Sequence, residues 1–181
     1  MDRPGSSFLA WLDGDNDAEL DRLRETAEAI RASSQALVVV GCDSAAQGAR
    51  AVLELLRGRD HNLRPGLQVL FAGSDLSTQA WQALSELLEG KDFSVQVIGR
   101  DGTDLPAAVT LRALRWLLER RYGSEKARER VYVTTDPTRG VLRQISAEEG
   151  YTAFNLPRTL AGHASALAPA ALLAPLAAGV D

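Results

Sequence analysis

The chain has 181 residues, 45% hydrophobic and 24% charged, a globular composition that excludes intrinsic disorder and suits one domain better than two. A net charge of -4 and a pI of about 5.3 deny it the basic footprint of an electrostatic nucleic-acid binder. Cys42 is the single cysteine, so no intrachain disulfide or multi-cysteine metal site can form, and His61 and His163 alone leave little for a histidine-rich one. Residues 1–14 read as a lead-in without an apolar signal region, and residues 15–181 as a single domain. A helix is expected over Asp15–Ser33, with Leu20, Leu23, Ala27 and Ile30 at helical spacing. A β-branched run, Ala36–Val40, follows as a strand, then a helix over Ala46–Arg57. Leu67–Ala72 reads as a strand and Ser77–Leu88 as a helix. Phe93–Ile98 reads as a strand, and Leu105–Arg121 as a helix carrying Val109, Leu111, Leu114, Leu117 and Leu118. Val131–Thr135 is a strand, Pro137–Glu149 a short helix with Asp136 as its cap, and Tyr151–Leu156 a last strand. The segment Ala161–Ala178 is an alanine-rich helix, too short and too interrupted by proline to span a bilayer. Trp81, Trp116 and Tyr122 sit among leucines at helical spacing and read as core packing or a helix–helix contact.

Short, nearly continuous apolar strands alternating with helices describe a parallel sheet covered on both faces. Right-handed βαβ crossovers then give an α/β three-layer sandwich with a five-stranded parallel sheet, flavodoxin-like. Ligands bind such sheets at the carboxyl ends of the strands, near the switch in strand order. Those ends run into Gly41–Gly48, Gly73–Asp75, Gly99–Asp104 and Thr134–Pro137. A cytoplasmic location, with no nucleic-acid or membrane partner and no cofactor, is the expectation.

Several of these segments carry the pattern of one family. Phe8–Asp13 is similar to a lead-in F-L-G-W-x-D. Val38–Gly41 with Gly48–Ala51 frames a loop V-V-x-G-I-G-G-S-x-L-G-A-R-A. Leu70–Gly73 is similar to the start of F-x-G-N-x-x, and Leu87–Phe93 to L-x-x-x-D-F. Val97–Thr103 stands at V-I-S-K-[ST]-G-T-T. Thr134–Pro137 with Gly140 and Leu142 matches T-T-D-P-x-x-G-x-L, and Leu160–Asp181 aligns on V-G-G-R-x-S-x-L-x-A-x-G-L-L-P-x-A-x-A-G-x-D. Read together, they resemble phosphoglucose isomerase (glucose-6-phosphate isomerase), in its first sugar-isomerase (SIS) domain only. The resemblance implies an SIS fold and a sugar-phosphate site built from Gly41, Asp43, Ser44, Ala45, Gly99, Arg100, Asp101, Thr103 and Asp104.

The departures from that pattern fall on the chemistry. The family's phosphate-binding serine is Ala45, preceded by Asp43 and Ser44 where the family has paired glycines. Three further hydroxyl positions are Gly99, Asp101 and Asp104, and Thr103 alone keeps a family hydroxyl. Arg100 replaces a family lysine, and His163 replaces the arginine that assists isomerisation. A phosphate dianion needs donors and positive potential. A like charge within roughly 5 Å costs on the order of 1 kcal/mol or more. The family's general base, ring-opening histidine and lysine lie outside the stretch that matches, so catalysis by this chain alone is not expected.

Two readings stand for each remaining candidate. Cys42 is a nucleophile or a small core residue where the family has isoleucine. His163 is a weak catalytic candidate or a surface or capping residue at a helix start. Asp43, Asp101 and Asp104 are candidate ligands for a hard cation or solvated caps of the following helices. Three functions follow: a non-catalytic SIS-like binding or scaffold domain with a degenerate phosphate site; a part of an isomerase, interconverting glucose 6-phosphate and fructose 6-phosphate, completed by another chain; and a cation-binding domain. Self-association or a partner chain is expected, because the alanine-rich last helix leads into the missing half of the family's chain.

Overall fold

The structure is a computed structural model that describes residues 17–156, 165 and 168–180. Five strands form one parallel sheet in the order β2-β1-β3-β4-β5. They are β1 (Ala36–Val40), β2 (Gln68–Ala72), β3 (Phe93–Ile98), β4 (Val131–Thr135) and β5 (Thr152–Asn155). The helices are α1 (Asp17–Ser33), α2 (Ser44–Arg57), α3 (Thr78–Leu88), α4 (Leu105–Tyr122), α5 (Ser124–Arg128), α6 (Val141–Glu149) and α7 (Leu173–Ala177). Strand order reverses at β1, which pairs with β2 on one side and β3 on the other, Val40 lying opposite both Ala72 and Val97. Loops from β1 and β3 therefore leave the sheet side by side, and a crevice opens between them.

The continuous apolar strands fill two cores at once. Leu37 and Val39 of β1 pack with Leu23, Ala27 and Ile30 of α1, Leu53 of α2 and Leu173 of α7. Ala36, Val38 and Val40 pack on the opposite face with Leu84 of α3, Leu114 and Leu118 of α4 and Leu142 of α6. Period-two alternation thus supplies both faces of a three-layer α/β/α sandwich. The fold class expected from the sequence is the one observed.

Three expectations differ from the structure. The helix over Pro137–Glu149 begins at Val141, and Asp136 does not cap it. The Asp136 carboxylate instead accepts from Thr138 N at 2.9 Å and Arg139 N at 3.2 Å, closing a tight turn that delays the helix. The alanine-rich segment is not one helix over Ala161–Ala178. Ala168 is extended, with φ -66° and ψ 143°, because the ring of Pro169 disfavours helical backbone in the residue before it. A 3₁₀ turn (Pro169–Leu172) and the short α7 follow. Trp116, expected in core packing or a helix–helix contact, is 52% exposed. Most of residues 157–167, including His163, and residues 1–16, which contain the lead-in 1–14 and the expected first two residues of α1, lie outside the described residues. Among the described residues no helix is long and apolar enough to cross a membrane.

Candidate functional site

Gly41 directly follows β1 and has no room for a side chain. A Cβ there would lie 2.5 Å from Ile98 O and 2.8 Å from the Ala46 methyl. This contact seats the start of α2 directly against the end of β3. Asp43 then caps α2, its carboxylate accepting from Ala45 N and Ala46 N, both at 3.0 Å. Those first-turn amides are the donors a helix N-terminus offers to an anion. Here the chain's own carboxylate holds them. Ala45 contributes its amide only, since its methyl is buried in the core beside α1 and α7.

The loop after β3 is organised the same way. Asp101 accepts from Thr103 Oγ1 at 3.0 Å and Thr103 N at 3.4 Å. Asp104 caps α4 through Ala107 N and also accepts from the Cys42 thiol. That bond, burial, and the charges of Asp104 and Asp43 push the Cys42 thiol up to about 11, so it stays protonated at neutral pH and is a poor nucleophile. The backbone carbonyl of Arg100 accepts from Asp136 N at 3.1 Å and Thr135 Oγ1 at 3.0 Å. Asp101 O accepts from Leu142 N at 3.2 Å, and Gly140, at φ +106°, lets the two loops touch: a Cβ on it would lie 2.8 Å from Asp101 Cα. Among the described residues no group of three or more His, Cys, Asp or Glu side chains is placed to hold a metal ion. Asp43, Asp101 and Asp104 each turn to donors of their own or a neighbouring loop.

These loops wall one end of a cavity of about 800 Å³. Cys42, Asp43, Ser44, Gly99, Arg100, Asp101, Thr103 and Asp104 line that end, whereas Gly41 and Ala45 lie behind it. The cavity then runs outward between α4 and α6, past Leu111, Arg112, Arg115, Trp116 and Ile145. Sequence reasoning missed this outer half. Its signal was present: Ala108, Arg112 and Trp116 fall at i, i+4 and i+8, one stripe of α4 along the cavity, beside the exposed apolar stripe of Leu105 and Val109. Leu105 is 63% exposed and Val109 46%, while Ala107, Thr110, Leu114 and Leu118 face the sheet. Arg115 is held by Glu119 and Glu149, each at 2.7 Å, and Arg128 reaches Glu149 at 3.3 Å, tying α4 to α5 and α6.

No family model matches the chain. Among curated proteins, the glucose-6-phosphate isomerase of Symbiobacterium thermophilum is 41% identical over 98% of this chain and 42% of its own length. That of Clostridium novyi is 38% identical over 98% of this chain and 41% of its own. Among solved structures, a hypothetical protein from Thermus thermophilus superposes with a TM-score of 0.82 at 26% identity, covering 99% of this chain and 41% of that one. A glucose-6-phosphate isomerase from Chlamydia trachomatis shares the fold, with a TM-score of 0.69 at 17% identity, covering 92% of this chain and 30% of that one. The chain spans about two fifths of the length of the curated relatives it matches. At this identity and over nearly its whole length, the chain is similar to one part of the glucose-6-phosphate isomerases.

Proposed function

We propose that this chain is an SIS-like binding or scaffold domain of the glucose-6-phosphate isomerase family, spanning residues 15–181, whose phosphate site is filled by its own carboxylates. It does not isomerise sugar phosphates by itself. One observation carries the reading: Asp43 occupies Ala45 N and Ala46 N at the head of α2. A sugar phosphate would have to displace that carboxylate and then sit beside Asp101 and Asp104. Effective permittivity near 20 makes each such approach unfavourable by about 3 kcal/mol at 5 Å before screening. Glucose 6-phosphate and fructose 6-phosphate at millimolar concentration are expected to leave the melting temperature unchanged. A rise of several degrees with either would overturn the reading.

A second reading has support of its own, since the chain spans only about two fifths of its relatives. In it, another polypeptide in the same cytoplasm supplies the remaining catalytic groups and covers the exposed apolar stripe of α4. Isomerase activity that appears only on mixing the two chains would favour it. A monomer in solution that binds neither a second copy nor such a chain counts against both the complemented enzyme and the scaffold role.

A further inference from the structure

The outer half of the cavity has a chemistry separate from the strand ends. Arg112, Trp116 and Arg120 stand one turn apart on the same stripe of α4. The Arg120 guanidinium lies 4.5 Å from the centre of the Trp116 ring, and the indole remains half exposed where it borders the cavity. Leu111, Leu142 and Ile145 provide apolar wall. Arg115, as described, is already paired twice. Arg112 lines the cavity and makes no hydrogen bond or ion pair among the described residues.

We infer that this outer groove binds a flat aromatic body carrying one anionic group, with the ring against Trp116 and the anion on Arg112. An indole already stacked under a guanidinium is a preformed π platform, and offset stacking on it favours arenes over aliphatic chains. The whole cavity, of which the groove is the outer half, has a volume of about 800 Å³, in the range of small-molecule sites. Charge fixes the orientation. Arg112 lies eight residues beyond Asp104, about 12 Å along the helix. That exceeds the Debye length of about 8 Å at physiological ionic strength, so the strand-end carboxylates repel an anion at their own end and barely oppose it at Arg112, while Glu119, which also lines the cavity, is balanced by Arg115 at 2.7 Å. An arene with a positive group would have its charge at the wrong end of the platform.

The test uses the whole chain and two matched probes, 2-naphthalenesulfonate and 2-naphthyltrimethylammonium. The readout is the indole N–H resonance of Trp116, assigned by its loss in Trp116→Phe. The sulfonate is expected to shift that resonance with saturation, and Arg112→Gln to weaken its binding about tenfold, the loss of one charge-assisted contact. The ammonium probe is expected to leave the resonance in place. Both varied side chains are exposed, so neither substitution threatens folding. An unmoved resonance with the sulfonate, equal binding of the ammonium probe, or unchanged affinity in Arg112→Gln would each overturn the inference. None of these results bears on the sugar-phosphate reading, which rests on Asp43 and its own titration.

Discussion

Removing the Asp43 side chain tests whether an internal anion occupies the α2 terminus. Asp43→Ala deletes a carboxylate that accepts from two amides at 3.0 Å. Loss of such a cap costs about 1 kcal/mol, and loss of a negative charge at a helix N-terminus adds roughly 0.5 kcal/mol. Relief of repulsion among Asp43, Asp101 and Asp104 offsets part of this. A net destabilisation of about 1 kcal/mol lowers the melting temperature of a domain this size by roughly 3 °C. The amides then stand open, and added phosphate can take them. With a dissociation constant on the order of 10 mM, 100 mM phosphate returns about 1.4 kcal/mol. Differential scanning fluorimetry at matched ionic strength reads both effects, with the parent chain reporting the general salting effect of phosphate. The prediction is a variant that melts lower and is rescued by phosphate more than the parent. A variant as stable as the parent, or equal phosphate shifts in the two, would refute the argument.

Three other outcomes follow from the same geometry. Gly140→Ala places a methyl against Asp101 in a left-handed backbone conformation, and urea unfolding should show a loss of about 2–4 kcal/mol; a change under about 0.5 kcal/mol contradicts the packing. Cys42 should react slowly with iodoacetamide near pH 8, and Asp104→Asn should speed it by lowering the thiol's pKa; a fast parent reaction is the contrary result. Because the folded thiol is raised from 9.0 to about 11, its protonated form stabilises the fold below pH 9, and that contribution fades as pH climbs toward 11. Glu149→Gln should lower stability by about 0.5–1.5 kcal/mol, less at high salt, by releasing both Arg115 and Arg128; an effect independent of salt would argue against an ionic origin.

Much of the sheet was readable because its strands are buried on both faces. Ala36–Val40, Phe93–Ile98 and Val131–Thr135 appear with the boundaries expected from their apolar runs. The strand-end loops were legible for the same reason, since each begins where such a run stops. Helix faces were harder. In α4 the apolar residues surround more than half of the circumference, so Val109 and Trp116 fitted the same pattern as Leu114 and Leu118, and only packing sorts them. The outer groove escaped because its walls come from α4 and α6, which are separated by α5 and β4, with no local motif joining them. The late start of α6 depended on a side-chain turn at Asp136 that competes with the helical signal of Pro137.

The two strand-end loops are pressed together without a gap, Gly140 against Asp101 and the Leu142 amide on the Asp101 carbonyl. The head of α6 is therefore fixed to the β3 loop, while Ile145, one turn further along the same helix, lines the outer groove. One short helix thus serves as wall to both halves of the cavity, and its placement at the strand ends sets the width of the groove outside them.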